Sequence, residues 1–267
     1  MNVTGLLAWY DEPVTWLAAS VTAAAKLCDH VVAVDGAYAL YPRGRAQSDP
    51  SQAEAILHAA YGAGIGCTIH RPSSVWMGNQ IEKRSTLFAL GRETGADWFY
   101  VFDADDLVTQ VPADTKQRLS EASEDVACFT LWWTEDVERD PAKAVAARSF
   151  HYPSDASNRY FRGIFRALPG LRVEGSHYHY VAERDGETVH LRGHEDFHSL
   201  EPFLNLTDMR VQHRHPQRTR ARLETSAAYD KLVRAHGLEK TTAEQWEGLA
   251  LAVVNVEAAG SVAGRSR

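Results

Sequence analysis

Several things are scarce in this chain of 267 residues, and each scarcity narrows what it does. There are three cysteines, Cys28, Cys67 and Cys128, odd in number, far apart and without a Cys-x-x-Cys pair. No disulfide framework fits that spacing, whereas reduced thiols in a cytoplasmic protein do. No run approaches about 18 consecutive apolar residues, so no membrane-spanning helix is expected. The first residues carry no basic segment leading into an apolar run, so no signal peptide is expected. Positive charge is short: Lys and Arg total 28 against 35 Asp and Glu, a net charge of −7 that argues against a general nucleic-acid binder. Glycine-rich phosphate loops are missing too. No Gly-x-Gly-x-x-Gly follows the first apolar run, against NAD or FAD, and no Gly-x-x-x-x-Gly-Lys-Ser/Thr occurs, against a P-loop. There is no internal repeat.

What is present is ordinary in bulk, with 45% apolar and 24% charged residues, and distinctive in one stretch, Trp98 to Asp106. Five bulky apolar residues, Trp98-Phe99-Tyr100-Val101-Phe102, predict a strand buried on both faces in a mainly parallel sheet. Asp103, Asp105 and Asp106 follow without a break. Carboxylates do not continue into a dry core, so the strand is expected to end at the surface, at the carboxyl edge where open α/β sheets bind ligands. Asp-x-Asp there offers hard oxygen ligands suited to Mg²⁺ or Mn²⁺ carrying phosphate. A solvated turn with a helix cap is the alternative.

Elsewhere strands and helices alternate. Val3 to Trp9 reads as a first strand, Val14 to Leu27 as a helix and His30 to Val34 as a second strand, together a βαβ unit. Residues 41 to 50 read as a loop, Gln52 to Tyr61 as a helix, Cys67 to His70 as a strand and Gly78 to Glu93 as a longer helix. Beyond Asp106 come a polar helix over Pro112 to Ser123 and an apolar strand over Val126 to Trp133. Short strands with turns at Pro169-Gly170 and Asp185-Gly186 then suggest a mixed extension. The spacing predicts helices over 218–236 and 242–257, and a small polar tail from Ala258 reads as disordered. The expected class is α/β: a mainly parallel, Rossmann-like sheet flanked by helices, with a small mixed-strand extension and C-terminal helices. The expected division is a catalytic domain over 1–217, helices packed on it over 218–257, and a tail over 258–267.

Acids recur at three strand ends: Asp11 and Glu12, Asp35, and the Asp103 cluster. Such acids accept hydrogen bonds from a base or ribose, or else cap helices and turns. Lys83 and Arg84, on the helix before the cluster, are placed to neutralise a diphosphate, if they are not a solvated face. The basic stretch from Arg210 to Arg220 contains His213, a candidate metal ligand in a phosphate-clamping loop or part of a solvated helix start. His177 and His179 share one side of an expected strand, as a metal or acceptor site or a polar sheet face. His194-Glu195-Asp196-Phe197-His198 matches His-Glu-x-x-His. Gly193 and Pro202 leave room for at most two helical turns there, with little apolar character, which disfavours a zinc hydrolase. Trp98, Trp132 and Trp133 suit core packing, or in Trp133 sugar stacking.

Taken together, Tyr10-Asp11-Glu12, Val34-Asp35-Gly36, Lys83-Arg84 and Trp98 to Asp106 resemble the successive signatures of family 2 glycosyltransferases with the GT-A fold. Arg162 to Val181 resembles a later segment of that family, with Tyr178 standing where Glu is common. Val211-Gln212-His213 and the arginines after it resemble its late His strand and basic helix. The likeness runs from about residue 3 to 235 and is most specific in the first 110. It implies a nucleotide-sugar donor, a UDP-sugar foremost, with Mn²⁺ or Mg²⁺. Asp103 and Asp105 would hold the metal on the diphosphate, with His213 as a further ligand and Ala104 between them. Tyr10, Glu12 and Asp35 would hold the base or ribose. An inverting enzyme would also need a carboxylate to deprotonate the acceptor hydroxyl, for which Glu195 or Asp196 is proposed, with Glu174 as rival. A sugar-phosphate nucleotidyltransferase, which predicts a glycine-rich basic loop after the first strand, and a non-catalytic nucleotide- or carbohydrate-binding relative are the competing readings.

Overall fold

The computed structural model describes residues 1–77, 80–133, 160–174, 179–192, 201–214 and 220–235. The first βαβ units are β1 (Val3–Ala8), α1 (Val14–Ala24), β2 (His30–Val34), α2 (Pro50–Gly62), β3 (Gly66–His70), α3 (Ile81–Glu93) and β4 (Trp98–Asp103). There follow β5 (Asp106–Gln110), α4 (Thr115–Glu121), β6 (Val126–Trp133) and β7 (Tyr160–Arg166). Then come β8 (Arg172–Val173), β9 (Tyr180–Arg184), β10 (Glu187–Arg192), β11 (Leu204–His213) and a last helix, α5 (Arg220–Ala235). The second helix expected near the end, and the tail after it, lie outside the described residues.

The main sheet has eight strands in the order β3-β2-β1-β4-β7-β6-β11-β5. Pairings are parallel among β3, β2, β1 and β4 and between β6 and β11. β7 runs antiparallel between β4 and β6, and β5 antiparallel to β11. β4 and β5 are four places apart in this order, yet only the turn Ala104-Asp105 joins them. The sheet therefore curls until its far edge returns beneath the end of β4. A smaller antiparallel sheet, β10-β9-β8, contains the hairpin at Asp185-Gly186, whose two positive φ angles (54° and 84°) are what an Asp-Gly turn supplies.

The continuous apolar runs are explained by burial on both faces. Leu7, Val31, Tyr100 and Phe102 point into one core with Leu17 and Val21 of α1 and Ile56 of α2. Leu6, Val32, Phe99 and Val101 point into a second core with Leu87 and Phe88 of α3 and Tyr180 of the small sheet. From Trp98 to Phe102 no residue is more than 7% exposed.

Two features differ from expectation. An unexpected short strand, β5, starts at Asp106 directly after the turn, and the acids do not all emerge into solvent. Asp103 keeps 41% of its side chain exposed, but that of Asp105 keeps 3% and that of Asp106 12%. His213 of β11 lies 2.7 Å from Asp106 Oδ1 and 3.8 Å from Asp105 Oδ2.

Candidate functional site

From β1 the chain runs outward through β2 to β3, then crosses back to place β4 on β1's other side. The carboxyl ends of β1 and β4 therefore flank a topological switch point, the place where open α/β sheets leave a crevice. Register brings Ala8 level with Val34 on one side and with Asp103 on the other. The residues that follow these strands, Trp9 to Glu12, Asp35 to Ser48 and Asp103 to Asp106, share one edge.

The half nearer β2 is built around Asp35, which is fully buried. Its Oδ1 accepts from Gly36 N (2.7 Å) and Ser48 Oγ (2.6 Å), and its Oδ2 from Ser48 N (2.9 Å) and Arg71 Nε (3.2 Å). Asp35, expected to receive a base or ribose, thus uses its acceptor positions inside the protein. Ser48 Oγ in turn accepts from Asp11 N at 2.9 Å. Asp11 is exposed and adopts φ 50°, a left-handed conformation uncommon outside glycine. The Arg71–Asp35–Ser48 chain holds that conformation at this sheet edge. Tyr10 is buried, its hydroxyl accepting from Arg45 N at 2.9 Å and its ring set edge-on to Tyr41. Glu12 is buried beside α2, its backbone N donating to Gln52 Oε1 at 3.1 Å.

Lys83 lies underneath, 1% exposed. Its Nζ donates to Trp9 O (2.6 Å) and Gly36 O (2.8 Å), tying the end of β1 to the end of β2. Burial lowers its pKa to about 7, against the opposing pull of Asp35. Arg84, one residue on, turns its guanidinium to Asp103 at 3.1 Å. The two cations expected at a diphosphate therefore divide: Lys83 is structural in its contacts, and Arg84 pairs with Asp103 at the end of β4.

The half at β4 is assembled across the sheet. The β5–β11 pairing sets His213 opposite Asp106. His213 Nδ1 lies 2.7 Å from Asp106 Oδ1, and Asp106 Oδ2 accepts from Asp103 N at 2.9 Å. His213 Nε2 faces Asp105 Oδ2 at 3.8 Å, too long for a hydrogen bond. Burial alone would lower the His213 pKa; the hydrogen bond and charge of Asp106, then Asp105 and Asp103, outweigh it and raise it to about 9. Burial raises the Asp106 pKa, with His213 opposing. Arg214 closes the assembly. Its backbone N donates to Asp105 O at 2.8 Å, its guanidinium reaches Ser20 Oγ at 3.1 Å and Ala104 O at 3.3 Å, and it stacks over Trp16 at 4.8 Å.

Asp105, Asp106 and His213 each offer a ligand atom, and these lie within 4.8 Å of one another. Two carboxylates and an imidazole fit a borderline-hard divalent ion such as Mn²⁺. The 3.8 Å gap between Asp105 and His213 is short enough for one ion about 2.1 Å from each. Asp103, the other expected ligand, is the partner of Arg84. Of the candidate bases, Glu174, just past β8, is exposed and ion-paired with Arg172 at 3.0 Å. Glu195 and Asp196 lie outside the described residues, as do His177, His194 and His198. His179 sits 2.9 Å from His190 Nδ1 through its Nε2.

Sequence reasoning missed Ser48, Arg71 and Arg214, and left Asp106 without a role. Ser48 and Arg71 carry no local signal. Arg214 had one, an arginine directly after the candidate ligand His213.

The chain matches no protein-family model, and no curated protein is significantly similar to it in sequence. Among solved structures, one described as a glucose-1-phosphate thymidylyltransferase from Bacillus anthracis, in complex with sucrose, aligns over 62% of this chain and 72% of its own, at 10% identity and a TM-score of 0.38. A likeness that loose says nothing about chemistry at the strand ends.

Proposed function

We propose that this protein is a divalent-metal-dependent glycosyltransferase, moving a sugar from a nucleotide-diphosphate sugar, a UDP-sugar foremost, to an acceptor hydroxyl. The observation that carries the reading is the facing pair Asp105 Oδ2 and His213 Nε2, 3.8 Å apart at the switch point, beside the Arg84–Asp103 ion pair. Asp105 and His213 would hold Mn²⁺ or Mg²⁺, with Asp103 at the solvent side. Bound there, the ion would neutralise the diphosphate leaving group as the sugar–phosphate bond breaks. Arg84 adds a fixed positive charge at the same place, its reach set by Asp103. Asp11 and Glu12, presented after β1, are the acids placed to receive ribose or base, with Asp35 acting on Asp11 through Ser48. For an inverting reaction, Glu195, Asp196 and Glu174 remain the proposed bases.

The turn after β1 speaks against a nucleotidyltransferase. Trp9 to Pro13 leads straight into α1, contains no glycine or cation, and carries two acids that would repel a triphosphate. The deciding experiment is a panel of nucleotide sugars with Mn²⁺, scored by thermal shift and by release of nucleoside diphosphate. Release of nucleoside diphosphate from one donor supports transfer. Pyrophosphate formed from a sugar phosphate and a nucleoside triphosphate would make the nucleotidyltransferase the correct reading. Silence towards every donor would remove the glycosyltransferase.

A further inference from the structure

Among the described residues, the buried apolar side chains of α5 are Tyr229 and Val233, one helical turn apart. They belong to neither of the two cores that hold the main sheet. They pack instead on the stretch after β2, forming with Ala39 a separate apolar cluster lined by Tyr38, Leu40 and Tyr41. Tyr229 stacks on Tyr38 with ring centres 6.1 Å apart and lies against Tyr41 at 5.4 Å. Tyr41 in turn meets the Tyr10 ring edge-on at 5.7 Å. A row of rings therefore runs from the C-terminal helix to the end of β1.

The stretch that α5 covers supports Tyr10 and Asp11 at two points. Arg45 N donates to the Tyr10 hydroxyl at 2.9 Å, and Ser48 Oγ accepts from Asp11 N at 2.9 Å. Its inner end is fastened by Trp76, whose Nε1 donates to Asp35 O at 2.6 Å and whose carbonyl accepts from Ala39 N at 2.7 Å. Between these fastenings Leu40 (φ 66°) and Arg43 (φ 59°) hold left-handed backbone without being glycine. Such a conformation is strained and persists only where its surroundings over-determine it. Around Leu40 those surroundings include Tyr229 and Val233.

We infer that α5 is a positioning strap for the nucleotide half of the site, with Tyr229 holding Tyr38 and Tyr41, and through them Tyr10 and Asp11, in place at the end of β1. The nucleotide part of this rests on the glycosyltransferase reading above. Stacked and edge-on aromatic pairs attract beyond their buried area and fix ring orientation, so the row passes on position as well as contact. α5 starts at Arg220, soon after β11 ends at His213. The strand that brings His213 to Asp106 thus leads into the helix that steadies the acids after β1.

The test compares the full chain as wild type, Tyr229→Leu, which keeps apolar bulk without a ring, and Tyr229→Phe, which keeps the ring. Amide hydrogen exchange should accelerate about 10-fold at Ala39 and Arg45 in Tyr229→Leu, with β1 and β4 unchanged. Calorimetry should show UDP binding, at saturating Mn²⁺, weakened about 3- to 30-fold in that variant, and Mn²⁺ binding altered by less than about twofold. Tyr229→Phe should match wild type in all three. Unchanged exchange at Ala39 and Arg45 would overturn the inference. So would acceleration that extends to β1 and β4, which is general destabilisation, or a Tyr229→Phe as impaired as Tyr229→Leu, which would move the effect from ring to hydroxyl. Coupling is reciprocal, so UDP with Mn²⁺ should also slow exchange at Tyr229 and Val233 of the wild type, and UDP binding without that protection overturns the strap. A wild type that takes up no UDP would sink the uridine-donor reading, while the exchange of Ala39 and Arg45 in Tyr229→Leu would still decide whether α5 holds the stretch after β2.

Discussion

His213 is the side chain on which proton and metal compete. Its folded pKa of about 9 lies above the ordinary 6.5, although burial pulls it down, because Asp106, Asp105 and Asp103 favour the charged ring. A raised folded value means that the stability it contributes is fully present below about pH 6.5 and is lost as pH rises through about 9. A metal needs the neutral ring, so binding must expel a proton. Affinity for Mg²⁺ should therefore climb about tenfold per pH unit from 7 to 9 and then level off. Calorimetry in buffers of different ionisation enthalpy would count the proton, and a flat profile would remove His213 from the ligand set. Asp35 makes the opposite kind of prediction, one of structure. It is fully buried with four donors on its two oxygens, so Asp35→Asn should cost about 3 kcal/mol in urea unfolding. A loss below about 0.5 kcal/mol would mean that the Ser48–Arg71 network does not matter to the fold. Both residues were visible in the sequence as polar groups at strand ends. Their different uses were not, because Asp35's partners at 48 and 71 and His213's partner at 106 carry no mark of proximity.

Among the elements, α3 does the least obvious work. A lysine in the first turns of a helix reads as solvated, but Lys83 points inward and ties the ends of β1 and β2 through the Trp9 and Gly36 carbonyls. Lys83→Met would leave both carbonyls without their donor, a loss of about 1–3 kcal/mol. Its pH dependence follows from the depressed pKa of about 7, with burial the leading cause. Below pH 7 the folded state carries a desolvated charge, and that penalty is relieved as pH rises from about 7 towards 10.5, where the unfolded lysine also loses its proton. Lys83→Met should therefore be more destabilising at pH 9 than at pH 6, and thermal unfolding at the two values checks the sign. β2, β4 and β6 were legible because burial on both faces writes an uninterrupted apolar run. β5 was not, because Asp106-Leu107-Val108-Thr109-Gln110 starts with an acid and leaves its last two residues exposed at the sheet edge. β11 was legible only at its Val211-Gln212-His213 end; a register shift between Leu206 and Arg210 interrupts its pairing with β6, and with it any simple alternation.

Across the whole molecule, the site draws on residues 9–12, 35–48, 83–84, 103–106 and 213–214, so no contiguous part of the chain contains it. The βαβ order predicted a common edge for the first three acidic strand ends. It could not place His213 beside Asp106, because that meeting needs the sheet to curl and β11 to slot between β6 and β5. A site assembled from segments this distant exists only in the folded chain, so its ligands must stabilise the entire fold by mass action. Mn²⁺ at about 100 times its dissociation constant should add about 2.7 kcal/mol. For a domain of this size that corresponds to a rise of about 5–11 °C in Tm. A nucleoside diphosphate added with the metal should raise Tm further, and a chelator should abolish both increments if the metal bridges protein and diphosphate. Asp105→Ala should still unfold cooperatively without metal and show neither shift. A full Mn²⁺ shift in that variant would locate the ion elsewhere, and a diphosphate shift that survives chelation would mean that Arg84 and the acids after β1 bind the nucleotide unaided.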